Sequence, residues 1–229
     1  MNGQLWALLY DSFFKILIPG IFTTIPLTII SFSCALFIGI CTALVQFANV
    51  KFLKDFARFY IWIIRGTPIL VQLYLVFYGL PGLGIMIDPF PAAVLVFSIN
   101  EGAYSAETMR SAFESVPSGQ IEAGLCSGMS YFQTFRKIVL PQAFVVSLPN
   151  LGNSLITLLK EGSLAYTIGL IDVMGKGTTL IGIHQGAYAI ETYIALAIIY
   201  WTLTIALEQF FKFLEKNFSK GSTSVAGAK

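Results

Sequence analysis

Charged side chains are scarce in this 229-residue sequence. Asp, Glu, Lys and Arg together make up 11% of it, and 14 basic against 12 acidic residues leave a formal charge of only +2. A nucleic-acid-binding protein needs a dense basic face to neutralise phosphates, so nucleic acid is excluded as a partner. Apolar residues make up 56% of the chain, which is more than a soluble domain normally carries. The composition therefore predicts a protein whose main solvent is the lipid bilayer.

The residue types that carry covalent or metal chemistry are also few. Cys34 and Cys41 lie in one apolar run and Cys126 is remote from both, so the cysteines show neither a disulfide framework nor a metal-ligand spacing. The single histidine, His184, has no accompanying G-x-S-x-G segment, which argues against an intramembrane protease. The sequence contains no G-x-x-x-x-G-K-[ST] loop for ATP. We therefore expect a chain that is not an enzyme and binds no metal or cofactor itself.

Long apolar runs dominate the chain. A helix that crosses about 30 Å of hydrocarbon, at about 1.5 Å per residue, needs about 20 mostly apolar residues. Four runs meet this requirement and are named spans one, two, three and five: 16–47, 59–80, 90–109 and 193–213. Span four begins after Pro141 and is interrupted at 160–163, where Lys160 and Glu161 precede Gly162 and Ser163. The pattern predicts an all-α polytopic membrane protein with about five transmembrane helices, the fourth of them broken.

The basic residues predict how the spans are oriented. Lys and Arg concentrate in the segments that follow spans one, three and five, whereas the loop 79–91 has none. Because basic residues favour the cytoplasmic side, this places the N-terminus outside and the C-terminus in the cytoplasm. Residues 1–220 then form one transmembrane domain, and the small polar residues of 221–229 are expected to form a flexible tail.

The polar segment 111–141, between spans three and four, has internal order. Glu122-Ala123-Gly124 is followed after three residues by Gly128, and after nine more by Ile138-Val139-Leu140-Pro141. This spacing predicts a short helix, a turn at Gly128 and a second helix that returns to the membrane. Apolar residues that recur every three positions are expected to line one face of the second helix, where a partner docks: Met129, Phe132, Phe135 and Ile138.

The same segment resembles the E-A-A, three residues, G, nine residues, I-x-L-P motif of the permease subunits of bacterial ATP-binding-cassette importers, with Gly124 in place of an alanine. The resemblance covers nearly the whole chain, because 65–72, 100–110 and 148–153 are similar to segments of the polar amino acid uptake branch. It implies a type I importer permease whose loop is a coupling helix seated in a separate ATPase subunit, which uses ATP and Mg. The contact residues implied for this chain are Glu122, Ala123, Gly124, Gly128, Met129 and Phe132.

Polar residues inside span three mark a candidate substrate pathway. At helical spacing Glu101, Tyr104 and Thr108 share one face, and a polar stripe in a membrane helix is expected to face the bundle interior. Glu107 lies one turn from Arg110, which favours a structural ion pair. In span four, the resemblance implies that the acidic residue of the Lys160-Glu161 pair lies near a bound amino acid. The predicted pathway residues are Asn100, Glu101, Tyr104, Glu161 and Ser163.

The segment 164–175 is expected to act as a gate across the outer half of the pathway. Gly162 and Gly169 would permit its movement, and Asp172 would face the external vestibule. The resemblance also implies an extracytoplasmic amino-acid-binding protein and a second permease chain, identical or not. Residues 78–81 and 88–89 resemble members that import cystine. The alternatives left open are a homo-oligomeric channel and a stand-alone secondary transporter for a small solute.

Overall fold

The computed structural model describes residues 2–47 and 51–226, with side chains at 13, 14, 16, 18, 20, 22–47 and 51–217. Within these ranges the chain is helical and contains no strand, as the apolar runs predict. The α-helices, numbered in chain order, are α1 Asn2–Phe47, α2 Lys51–Arg65, α3 Ile69–Tyr74, α4 Pro89–Glu114, α5 Ser118–Cys126, α6 Tyr131–Thr134, α7 Leu140–Glu161, α8 Val173–Ile183 and α9 Ala189–Ala226. Four short segments have other helical pitches: π-helix at Leu75–Gly79 and Phe135–Val139, and 3-10 helix at Leu80–Leu83 and Gly162–Ile168.

Helix α4 lies at the centre of the bundle, with α1 packed along it and α2, α3 and α7 beside it. Small residues let α1 approach closely. A Cβ at Gly39 of α1 would lie 2.7 Å from the Cβ of Ser105, and one at Gly102 of α4 would lie 2.8 Å from Ile38 Cγ2. Close backbone approach at small residues is how helices associate in lipid, where burial in hydrocarbon gives little driving force.

The helices long and apolar enough to cross a membrane number three within the described ranges, or four if one bent pair counts as a span. The three are Phe22–Phe47, Tyr131–Ile168 and Ala189–Asn217. Helix α4 coincides with predicted span three but is not among them, because its buried polar residues lower its mean hydropathy. Those polar residues contact protein rather than lipid, which is how a central helix tolerates them.

Predicted span two is not a continuous helix. Helix α2 and the segment Ile69–Leu83 meet at an angle of 99°. The break falls at Gly66-Thr67-Pro68, since proline lacks an N–H and disfavours the helical conformation of the residue before it. The Gln72 side chain caps the break by donating to Ile64 O at 2.8 Å and to Thr67 Oγ1 at 2.7 Å.

The interruption predicted at 160–163 is found only as a change of helical pitch, because Tyr131–Ile168 is one helical stretch. Helix α7 ends at Glu161, and the chain continues as 3-10 helix to Ile168. That segment ends at Gly169, whose φ of 89° is left-handed. The break is therefore a change of helical pitch followed by a turn into α8.

At the C-terminus, α9 continues to Ala226. Residues 221–226 of the predicted tail are thus helical, and 227–229 lie outside the described residues. The orientation of the termini across the bilayer stays a prediction.

Candidate functional site

The loop between α4 and α7 has the predicted helix, turn and helix. Helix α5 ends at Cys126, and Gly128 follows with φ of 81°, a left-handed conformation that favours glycine. Helix α6 begins with a capping box in which Ser130 and Gln133 satisfy each other's backbone N–H groups. The turn at Gly128 is therefore fixed by backbone conformation on one side and by a cap on the other.

The predicted contact residues of this loop divide into an outer and an inner set. Glu122, Ala123 and Gly128 are exposed, and Phe132 is 68% exposed. Gly124 is buried instead, because a Cβ there would lie 2.8 Å from Thr134 Cγ2. Met129 is half-buried. The loop thus exposes the carboxylate of Glu122 and the aromatic ring of Phe132, while Gly124 allows α5 to pack closely against α6.

The expectation that Met129, Phe132, Phe135 and Ile138 line one face is wrong. Phe135 turns inward, with ring centroids 5.0 Å from Phe47 and 5.3 Å from Phe113. Each step of three residues falls about 60° short of a full turn, so positions nine apart lie on opposite sides of a helix. The π-helical turn at Phe135–Val139 changes the register further.

Asn100 lies inside the bundle and is hydrogen-bonded to another helix. Its Nδ2 donates to Gln72 Oε1 at 3.0 Å, which links α4 to the capped break before α3. The side chain is 5% exposed. In this chain Asn100 therefore stabilises the bend, and its exposed surface toward any pathway is small.

Glu101 of α4 and Glu161 of α7 belong to helices that pack against each other. Glu101 is 5% exposed, accepts a hydrogen bond from Ser105 Oγ at 3.2 Å, and lies beside Ser154 and near enough to Glu161 for the two charges to interact. Among the residues whose side chains are described, neither carboxylate has an ion-pair partner within 4.0 Å. The site has hydroxyl donors but no cation of its own next to Glu101.

Tyr104 lies one turn along α4 from Glu101 but, unlike Glu101, is partly exposed. Its ring is 40% exposed, and the Arg65 guanidinium lies 5.0 Å from the ring centroid. The expected single polar stripe facing the bundle interior is therefore split: Glu101 is inside, and the Tyr104 and Arg65 pair is at the surface of this chain. The ion pair predicted between Glu107 and Arg110 is confirmed at 2.5 Å, and Arg110 also contacts Glu114 at 2.6 Å.

The expectation that Asp172 faces an external vestibule is wrong. Asp172 is 0% exposed and caps the N-terminus of α8, accepting from Gly175 N at 2.7 Å. Tyr200 of α9 donates to its other oxygen at 3.3 Å. A carboxylate next to the first turn of a helix satisfies the free N–H groups there, which accounts for its burial.

The other residues of the predicted gate lie in the 3-10 segment and its end. Gly162 is buried and half-buried Ser163 donates to Lys160 O at 2.7 Å, which closes the first turn. Gly169 is exposed with left-handed backbone. Sequence reasoning did not identify Gln72 or Tyr200. The role of Gln72 could have been predicted, because this residue follows a Gly-Thr-Pro break. The pairing of Tyr200 with Asp172 could not, because it joins helices far apart in sequence and leaves no local signal.

The bundle has apolar helices around a central helix with buried polar residues, two spans that are interrupted, and an exposed helical hairpin between α4 and α7. Together these features define a class, the multi-pass membrane transport subunits. A more particular assignment comes from comparison with known proteins. Residues 35–220 match the family described as binding-protein-dependent transport system inner membrane component. The chain belongs to this family.

Permease proteins of similar sequence match most of the chain. The L-cystine transport system permease protein TcyB of Bacillus subtilis (strain 168) is 43% identical over 202 residues, covering 88% of this chain and 86% of the relative. TcyL, an L-cystine transport system permease protein of the same organism, is 39% identical over 219 residues, 91% of each chain. The resemblance to permeases of the polar amino acid uptake branch is confirmed.

Solved structures share the fold. One described as an amino acid ABC transporter with histidines has a TM-score of 0.85 at 33% identity, covering 92% of this chain and 97% of that one. The MetNI methionine ABC transporter has a TM-score of 0.75 at 20% identity and shares the fold. The predicted type I importer permease fold is therefore confirmed.

Proposed function

We propose that this chain is the permease subunit of an ATP-driven importer that moves a polar amino acid, with cystine as the favoured substrate, across the bacterial cytoplasmic membrane. The observation that carries the proposal is the exposed hairpin of α5 and α6, built on the importer motif and held by Gly128 and the Ser130 cap. Cystine is favoured because TcyB and TcyL, both cystine permeases by name, are 43% and 39% identical to this chain.

The hairpin couples the spans to a separate ATPase subunit. Exposed Glu122 and Phe132 offer a charge and an apolar anchor to a groove in that subunit. Helix α6 continues through a π-turn into α7 without a loop. A displacement of the hairpin by the ATPase therefore moves α7 and the 3-10 segment after it together. ATP and Mg bind to the partner, and the hairpin lies on the cytoplasmic side.

The pathway runs between two permease chains, because one chain has too few spans to enclose a passage comfortably. The half-buried carboxylate of Glu161 suits the ammonium group of an amino acid. Arg65 and Tyr104, exposed at one side of α4, suit its carboxylate. An extracytoplasmic binding protein delivers the amino acid, and the second permease is a copy of this chain or a close relative.

A substitution at Glu122 tests the coupling role. In proteoliposomes that hold the whole assembly, Glu122→Ala lowers the amino acid taken up per ATP hydrolysed by about tenfold, within the usual range of coupling between sites. Asp55→Ala, which removes another exposed carboxylate, on α2, leaves that ratio unchanged. Equal ratios in the two variants would remove Glu122 from the coupling contact.

Competition identifies the substrate. Uptake of labelled cystine is measured against a panel of unlabelled amino acids, and cystine is expected to compete best. If another polar amino acid competes better, the cystine preference is wrong while the importer assignment stands.

A further inference from the structure

An apolar groove lies outside the candidate pathway, between α1, α4 and the start of α7. It has a volume of about 660 Å³ and includes none of the pathway residues Asn100, Glu101, Tyr104 or Glu161. Its walls are hydrocarbon and aromatic, with Leu44 and Phe47 from α1, Phe113 from α4, and Ala143 and Leu151 from α7 among them. The pathway proposed above gives this groove no role.

The length of the groove matches one leaflet of a bilayer. On α1 its walls run from Leu36 to Phe47, and on α7 from Leu140 to Leu151. Each stretch spans about 16 Å at about 1.5 Å per residue. Half of a hydrocarbon core of about 30 Å is about 15 Å. A single acyl chain laid along the groove therefore extends from the interface to the bilayer centre.

A cation stands at the hairpin end of the groove. Arg136 is the one charged residue in its lining, and among the ion pairs of the described side chains none includes it. Exposed Tyr131 flanks that end, as aromatic residues do at the level of lipid headgroups. A guanidinium with free donors binds a phosphate in a bidentate manner.

We propose that this groove binds an anionic phospholipid, with an acyl chain along α1 and α7 and its phosphate on Arg136. Basic pockets between transmembrane helices bind anionic headgroups by the same chemistry. The assignment to the inner leaflet rests on the cytoplasmic placement of the hairpin proposed above, whereas the class of ligand does not. The lipid joins α1 to α7, so its occupancy bears on how firmly the hairpin is attached to the bundle.

Native mass spectrometry of the detergent-purified assembly tests the site, with phosphatidylglycerol and phosphatidylethanolamine supplied together. The unchanged protein is expected to retain phosphatidylglycerol preferentially. Arg136→Gln lowers that retention about fivefold, which corresponds to the ~1 kcal/mol that one basic residue contributes near anionic lipid. Arg58→Gln, which removes an exposed basic residue of α2 outside the groove, is the matched control and changes nothing.

A second variant tests the acyl-chain part of the site. Leu44 is 38% exposed on the groove wall, and Leu44→Trp fills the groove, so both lipids are lost together. If Leu44→Trp does not fold, Ile40→Trp is used instead, because Ile40 lies on the same wall and is 42% exposed. Equal retention in Arg136→Gln and Arg58→Gln overturns the proposal, and so does retention that the groove-filling variants leave unaffected. Cross-linking of a cysteine introduced at Leu44 to a second permease chain also overturns it, because the groove would then be an interface between chains. The same spectra show whether an ATPase subunit co-purifies. Absence of lipid binding can therefore be distinguished from a wrong importer assignment.

Discussion

At the scale of single residues, polar groups inside the bundle serve two different purposes. Asn100 and Gln72 satisfy each other and the backbone at the break before α3, so they hold the fold. Glu101 has hydroxyl donors, and neither Glu101 nor Glu161 has an ion-pair partner within 4.0 Å among the described side chains, so both are available to a ligand. The sequence predicted that α4 carries buried polar residues, but composition alone did not separate these purposes, because the partners lie on other helices.

Removal of the Gln72 side chain tests the first purpose. Gln72→Leu leaves the Asn100 amide without its Gln72 partner and removes the shorter of the side-chain bonds to Ile64 O, and an unsatisfied buried polar group costs about 1–3 kcal/mol. We expect a loss of that size in the free energy of unfolding, measured by chemical denaturation in detergent. Gln209→Leu, at an exposed position of α9, is the control. Equal stabilities of the two variants would contradict the role of Gln72 at the break.

Gly124 gives a second prediction, because the importer motif prefers alanine where this chain has glycine. A Cβ at Gly124 would approach Thr134 Oγ1 to 2.9 Å as well as Cγ2, so Gly124→Ala is expected to destabilise by about 1–3 kcal/mol through overpacking. Gly119→Ala on the same helix meets nothing within 4 Å and should stabilise by up to about 1 kcal/mol.

The double variant Gly124→Ala with Thr134→Ala makes this test sharper. Thr134 is buried and its hydroxyl has no hydrogen-bond partner, so its removal makes room at little cost. The double variant should recover most of the stability lost by Gly124→Ala in thermal unfolding. Additive losses would show that the contact between these two residues is not the cause.

At the scale of elements, the apolar runs correctly predicted helices. Of the two irregular spans, the sequence predicted only the one after Glu161. The interruption after Glu161 was visible because charge and glycine interrupt an apolar run. The break at Gly66-Thr67-Pro68 has the stronger local signal, a glycine and a proline, but the run around it is apolar enough to look continuous. Burial of Asp172 was not predictable, since it depends on Tyr200 of α9 and on the docking of α8 against α1, where Val173 N donates to Thr24 Oγ1 at 3.3 Å.

Substitutions of Asp172 distinguish a structural cap from a gate. Asp172→Ala removes the cap of α8 and should destabilise the protein by about 1–2 kcal/mol. Asp172→Asn keeps an oxygen for the Gly175 N–H and should retain both stability and uptake, measured by unfolding in detergent and by transport in proteoliposomes. Normal stability with lost uptake in Asp172→Asn would instead indicate that the charge itself acts in transport.

At the scale of the whole molecule, the described helices form a single bundle that leaves one end of α4 and the hairpin exposed. The family assignment accounts for the hairpin, and the exposed Arg65 and Tyr104 pair is the surface on which we propose that a second chain packs. A homo-oligomeric channel or a secondary transporter would share the apolar bundle but has no use for an exposed importer motif. Dependence on ATP therefore separates these classes most directly.

The central claim is that transport through this chain is driven by a partner ATPase through the hairpin. The decisive measurement is uptake of labelled cystine into proteoliposomes that contain the assembly and its binding protein, with ATP supplied to the hairpin side. We predict uptake only when ATP is present, and about tenfold less uptake per ATP hydrolysed when Glu122→Ala is introduced. Uptake at the same rate without ATP would contradict the account.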